Sequence, residues 1–313
     1  MIRRALVVGA LATTVLAGGA ASAHALVLGI ADQKPDMFTD PLFKSMDVRY
    51  ARLAVSWDAM EHPWEVAEVD QWMNAARRAG VEPLIGFGHS RVNRRLLPTP
   101  SRYKYDFQLF RQRYPWATTF STWNEANHCG EPTCHRPQLV AAYYLQLVRA
   151  CRACTILGAE LLDMPNMTSW VDAYRKHLGA SRSPRYWGLH NYIDANRLRT
   201  TGTRRLLAHT TGQLWFTETG GIVRRNNVDK VTFPESTAHA AVATRWLFDK
   251  LVPLSRRITR VYLYQWNAVS SDNWDSGLVD PHGRSRPALT VVRAEQRTLM
   301  ARAARRARAQ AKG

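Results

Sequence analysis

Two glutamates stand at the ends of two runs of similar shape. Thr119-Phe120-Ser121-Thr122-Trp123-Asn124-Glu125 begins as a β-type stretch and stops at an Asn-Glu pair, and Gln213-Leu214-Trp215-Phe216-Thr217-Glu218 is likewise apolar and aromatic until it stops at a Glu. Paired carboxyl groups on separate elements suit cleavage of a glycosidic bond. One, protonated, gives its proton to the leaving oxygen, and the other, ionised, attacks or activates water. Because Glu125 and Glu218 are the same residue type, their surroundings must set their pKa values apart. Arg52 and Tyr192 are suitable partners to keep one ionised, and the apolar surroundings of Trp123 would raise the other. Trp57, Trp123, Trp215 and Trp266 offer flat faces for sugar rings. Alternation counted back from Glu218 turns Trp215 away from the site, so core packing is its expected role.

Such residues need a scaffold that collects the ends of several strands. From Leu26 the chain alternates strand and helix. Expected strands are Leu26–Ala31, Tyr50–Trp57, Val81–His89, the Glu125 run, Thr155–Leu161, Tyr186–Tyr192, the Glu218 run and Arg260–Trp266. Between them, helical spacing marks Val66–Gly80, Tyr103–Tyr114, Pro137–Ala153, Trp170–Leu178, Arg204–His209 and Ser236–Leu254, with a last helix from Pro287. Eight strands alternating with helices predict an α/β fold, a single-domain (β/α)8 TIM barrel, over 26–292. The turn Ala31-Asp32-Gln33-Lys34-Pro35 lacks the glycine-rich signature of a doubly wound sheet. In a barrel the C-terminal strand ends form one bowl. It would gather His89, Asn124, Glu125, His190, Tyr192, Glu218 and Trp266, with Arg52 inside the second strand.

The ends of the chain read differently. Met1-Ile2-Arg3-Arg4, the apolar Ala5–Ala20 and the small residues to Ala25 have the pattern of a secretory signal peptide, 1–25, which places the protein outside the cell without stable membrane insertion. The net charge is +18 in 313 residues, part of it in a basic C-terminal helix or tail, 293–313. That charge suits an anionic cell-wall or extracellular polymer. With export and no basic-aromatic reading motif, nucleic acid is not an expected partner. The ten histidines include none paired with a Glu at the helical spacing of a metal site, so no metal or cofactor is implied. Export permits disulfides among the four cysteines. A helix over Gln138–Arg149 would separate the two pairs by roughly 20 Å, beyond disulfide reach. The expected bridges are therefore the local ones, Cys129–Cys134 and Cys151–Cys154.

Taken together, these residues resemble those of the clan A glycoside hydrolases, in particular the family 39 and family 5-like secreted cellulase and exopolysaccharide-glycosidase types. Asn124-Glu125 looks like their fourth-strand Asn-Glu, and Glu218 like their seventh-strand nucleophile. His190-Asn191-Tyr192 is similar to their sixth-strand His-x-Tyr, Arg52 to their second-strand Arg and Trp266 to their eighth-strand Trp. Ser276-Gly277-Leu278-Val279-Asp280, Gly283 and Arg286-Pro287-Ala288-Leu289 resemble their closing segment. The resemblance covers essentially all of the chain after residue 25.

It implies a retaining mechanism on a poly- or oligosaccharide. Glu125 would be the general acid/base and Glu218 the nucleophile that carries a covalent glycosyl unit. Asn124 would hold the sugar 2-hydroxyl and Tyr192 would orient Glu218. The loop after Glu125, with His128 and the Cys129–Cys134 clip, departs from that pattern. A non-catalytic carbohydrate-binding barrel at the cell surface is the reading that loss of either glutamate would favour, and both are present. A transglycosylase would use the same residues and differ only in whether sugar or water accepts.

Overall fold

The computed structural model describes residues 26–179, 182–226 and 232–310, so the expected signal peptide lies outside the described residues. Strands β1 (Val27–Ala31), β2 (Tyr50–Ser56), β3 (Glu82–Gly88), β4 (Thr119–Ser121), β5 (Thr155–Leu157), β6 (Glu160–Leu162), β7 (Tyr186–His190) and β8 (Gln213–Thr219) belong to one parallel sheet. The short β9 (Arg224–Arg225) lies outside it, β10 (Ile258–Tyr264) completes it, and β11 (Trp274–Asp275) pairs antiparallel with β9.

The hydrogen-bonded order is β5-β4-β3-β2-β1-β10-β8-β7-β6. Its two ends are pieces of one strand interrupted at Gly158-Ala159. The Gly158 N–H donates to the Tyr186 carbonyl (2.9 Å), the Gly188 N–H to the Ala159 carbonyl (2.9 Å) and the Glu160 N–H to the Trp123 carbonyl (2.9 Å), so the sheet closes on itself. The result is the (β/α)8 barrel that the strand–helix alternation predicts, with its fifth strand in two parts.

Helices Pro63–Arg78, Pro100–Arg113, Pro137–Ala150, Met167–Leu178, Thr201–His209, Thr237–Trp246 and Pro287–Gln310 cover the sheet. Proline opens several of them, where its missing N–H would have no helical partner anyway. The Thr99 hydroxyl accepts from the Arg102 N–H, capping one of these proline-led helices, and the Ser236 hydroxyl accepts from the His239 N–H, capping the start at Thr237. The main core lies between strands and helices. A smaller one fills the barrel interior with Ala31, Leu84, Leu157, Trp215 and Tyr262. The basic helix from Pro287 runs unbroken across position 292. It is buried through Leu289 and Val292 and largely exposed beyond.

Two elements differ from the sequence pattern. The expected helix Ser236–Leu254 ends as an α-helix at Trp246 and continues as a wider turn over Leu247–Leu251, then a tight one over Val252–Leu254. Pro253 has no N–H to extend the α-helical ladder. The sixth strand stops at His190, and Tyr192 opens a short helix, Tyr192–Asn196. The Asp163 carboxylate caps that helix from β6's exit, accepting from the Ile193 (3.1 Å) and Asp194 (2.7 Å) N–H groups. Burial pushes this carboxyl up to about 7.

The segment between β10 and the last helix is clasped onto itself. Arg286 forks onto Asp275 through Nη1–Oδ1 (2.5 Å) and Nη2–Oδ2 (2.8 Å) and donates to the Gly277 carbonyl (3.0 Å). Removing one partner of a buried, bidentate pair strands the other charge. Arg286→Ala is expected to destabilise the fold by about 3 kcal/mol, read as a lower denaturation midpoint. A loss well under 1 kcal/mol would show that the clasp does not hold this segment.

Candidate active site

At the C-terminal face, Arg52 gathers three strand ends. Its Nη1 donates to Glu218 Oε1 (2.5 Å), its Nη2 to Asn124 Oδ1 (2.6 Å), and Nε and Nη2 grip Glu160 Oε1 and Oε2 (2.7 Å each). Burial alone would lower the Arg52 pKa, but Glu160 and Glu218 push it up, so the guanidinium stays charged. Glu160 is fully buried, in the gap that Gly86 and Gly188 leave for it. A Cβ at Gly86 would come within 2.7 Å of Glu160 Oε2, and one at Gly188 within 2.7 Å of its Cγ. The sequence reading passed over Glu160. Its signal was a lone carboxylate in an apolar strand, which a buried partner has to match.

Glu218 reaches this guanidinium because β8 carries a bulge. Leu189 pairs with Phe216 and His190 with Glu218, so Thr217 is an extra residue. Phe216 faces the helices, while Trp215 and Thr217 face the barrel interior. Unbroken alternation would then send Glu218 outward. The expected orientation of Trp215 is corrected accordingly. It is core, as expected, but it lies inside the barrel beneath the bowl, with the Arg260 guanidinium 4.2 Å from its ring centre.

Glu125 follows β4 in a left-handed backbone conformation, with φ 48°. For an L-residue with a long side chain this costs about 1–2 kcal/mol. Neighbouring pairing enforces it, with the Asn124 N–H donating to the Phe87 carbonyl (2.6 Å) and the Ala126 N–H to the Glu160 carbonyl (2.9 Å). His190 Nδ1 donates to Glu125 Oε1 (3.1 Å) and lies 3.6 Å from Glu218 Oε2, while Tyr192 donates to Glu218 Oε2 (3.3 Å). On the open side, His128 Nδ1 is 3.8 Å from Glu125 Oε2.

The electrostatics follow. Burial acts to raise the Glu125 pKa, but His190, His128 and Arg52 outweigh it and hold the carboxyl below its ordinary value. Burial acts to lower that of His190, but Glu218 and Glu125 outweigh it and raise it. Burial, then Glu218, pushes the Tyr192 phenol well up, so it remains a donor. One oxygen of Glu125, one oxygen of Glu218 and a His190 nitrogen lie within 4.8 Å of one another. Such a trio could also ligate a cation, but Arg52 already brings a positive charge to Glu218.

The glutamates open onto a cavity of about 310 Å³, walled by Tyr192, Phe233, Tyr264 and Trp274. Of the expected site residues, Arg52, Asn124, Glu125, His190, Tyr192 and Glu218 meet. His89 does not touch the glutamates. It lies on the far side of Asn124, with Nδ1 2.6 Å from Glu131 Oε1.

Three tryptophans are corrected as sugar platforms. Trp57 is buried in the main core. Trp123 is buried against Tyr143 and donates to Glu131 Oε2 (3.1 Å). Trp266 is fully buried, donating to Asp40 Oδ2 (2.8 Å) with its ring edge-on to Phe43. The eighth-strand aromatic that does line the cavity is Tyr264, joined by Trp274 from β11, whose loop strand carried no alternation to announce it. Both expected bridges are present, with Cα–Cα separations of 4.8 Å for Cys129–Cys134 and 5.4 Å for Cys151–Cys154.

No family model and no curated protein matches the sequence. Solved structures do resemble the fold. A β-glucuronidase from an uncultured Clostridium sp. aligns at TM-score 0.60 and 10% identity over 88% of this chain, which spans 50% of that one. A family 39 β-xylosidase from Caulobacter crescentus aligns at 0.58 and 16%, over 86% of this chain and 70% of that one. A family 128 endo-β-1,3-glucanase from Amycolatopsis mediterranei aligns at 0.59 and 14%, over 86% and 98%. At these identities the likeness establishes the barrel.

Glu160 positions Arg52 and therefore both Glu218 and Asn124. Glu160→Ala is expected to destabilise the fold by about 3 kcal/mol, whereas Glu218→Gln, which keeps a hydrogen-bonding side chain in a partly open site, should change stability far less. Equal effects in chemical denaturation would contradict this assignment.

Proposed function

We propose that this chain is a retaining glycoside hydrolase acting outside the cell on a poly- or oligosaccharide. The observation that carries the reading is the carboxylate pair. Glu125 and Glu218 present oxygens within 4.8 Å of each other, each with a different set of partners. Oxygens this close favour the roughly 5–5.5 Å between carboxyl groups of retaining enzymes over the roughly 6.5–9.5 Å that leaves room for water in inverting ones. The fold is also one that glycosidases of several kinds carry. The two disulfides and the apolar N-terminal pattern support the extracellular placement.

In this mechanism Glu218, paired with Arg52 and oriented by Tyr192, attacks the anomeric carbon. Glu125 protonates the departing oxygen. Glu125 and His190 share a proton as a pair. In the open site the exchangeable proton rests on His190 and reaches Glu125 Oε1 across their 3.1 Å contact. Formation of the glycosyl ester removes the Glu218 charge, and Glu125, now a base, deprotonates the incoming water. Asn124, its Oδ1 held by Arg52, donates through its free amide N–H to the 2-hydroxyl of the bound sugar.

A glycan hydrolysis screen of 26–313, run beside Glu125→Gln and Glu218→Gln, tests the reading. Product release by the wild type should fall at least about 10³-fold in each variant. Binding without cleavage, unchanged in both variants, would instead identify a carbohydrate-binding barrel. The pH profile is a second test. His190 is raised, so it keeps its proton until the pH passes above its ordinary value of about 6.5. The alkaline limb of kcat/KM should therefore lie above that pH and move down by about one unit or more in His190→Gln, where a carboxyl alone must hold the proton. An unmoved limb would remove His190 from the shared-proton pair.

A further inference from the structure

Beyond the cavity over the glutamates, a second opening of about 380 Å³ begins at Asn124 and runs outward across the ends of β2 and β3. Its polar lining includes Gln33, Glu68, His89, Arg91 and Asn124. Asn124 and Glu125 are consecutive, so the two openings flank the same point of the chain. At the outer end Arg91 pairs with Glu68 (2.5 Å) and lies 4.5 Å from the ring centre of Trp64. Trp64 is 45% exposed, although it sits in the first turn of a helix whose Val69, Trp72 and Met73 are buried. The reaction proposed above uses none of these groups except Asn124.

We propose that this groove holds further sugar units of the same glycan chain, with Trp64 as a stacking platform at its outer end. The inference rests on the glycosidase reading and deepens it, because it assigns the protein to extended chains and not to terminal monosaccharide units. The lining fits that occupant. The Glu68 carboxylate accepts from sugar hydroxyls, and Gln33, His89 and Arg91 can donate. Arg91 covers one side of the Trp64 ring and His62 stacks beside it at 6.2 Å, and the part that stays exposed offers apolar area to the C–H face of a pyranose at little entropic cost. A single sugar unit fits within the first cavity, so only a longer chain crosses Asn124 to reach the groove.

The test compares kcat/KM for fluorophore-tagged oligosaccharides of increasing length, drawn from a glycan that the wild type cleaves, with kcat/KM for the matching 4-methylumbelliferyl monoglycoside. Wild-type kcat/KM should rise with chain length. Trp64→Ala should reduce it about tenfold on the long chains and leave the monoglycoside unchanged. Val92→Ala, a change of an exposed side chain outside the groove, should leave both unchanged. Wild-type kcat/KM that does not rise with chain length, or a Trp64→Ala loss that is absent or equal on both substrates, overturns the groove while leaving the glycosidase reading standing. Absence of hydrolysis on every substrate removes the glycosidase reading, and the groove proposal with it.

Discussion

Arg52 is the interaction on which the site depends. A buried guanidinium needs neutralisation and partners for its donors; here a buried glutamate and a second that faces the cavity supply the charge, and Asn124 takes a further N–H. The pair with Glu160 fixes the plane of the fork. The remaining N–H groups then point at Glu218 and Asn124 with little freedom left. Two glycines on neighbouring strands make the arrangement possible, since any side chain at Gly86 or Gly188 would occupy the space of Glu160. The geometry of the candidate site is thus set from below by the barrel interior, and the loops above add the cavity walls.

A second layer of control acts through protons. Glu125 lies between a buried histidine on one oxygen and a half-open one near the other. Its acidity is therefore a property of the group of side chains around it. The same applies to the helix that presents Tyr192, whose start is held by Asp163, while Asp194 within it caps the next helix through the Gly202 (3.0 Å) and Thr203 (2.7 Å) N–H groups. Each chemical group is held by an ionisable neighbour one step away.

The strand–helix alternation made the barrel legible in the sequence, because the period of the apolar residues changes between two and 3.6 at each boundary. The polar strand ends made Asn124, Glu125, His190, Tyr192 and Glu218 legible for a related reason: charged or aromatic-polar residues that end an apolar run need a shared destination, as does a charge such as Arg52 inside one. Three things were not legible. The β8 bulge inserts a residue without marking it in composition, so counting from Glu218 misassigned Trp215. Glu160 was hidden by its apolar flanks. Trp266 and Trp57 matched a pattern of residue type, but whether a tryptophan faces a bowl or a core depends on register and on partners such as Asp40, far away in sequence.

The left-handed backbone at Glu125 sets stability against activity at one position. Glycine or asparagine would adopt φ 48° with less strain, and neither would bring a carboxylate into a crowded set of charges. On the proposed reading, greater thermal stability and the presence of a carboxylate pull in opposite directions at residue 125, and an engineer who relaxed this backbone would do so at the expense of the group it carries.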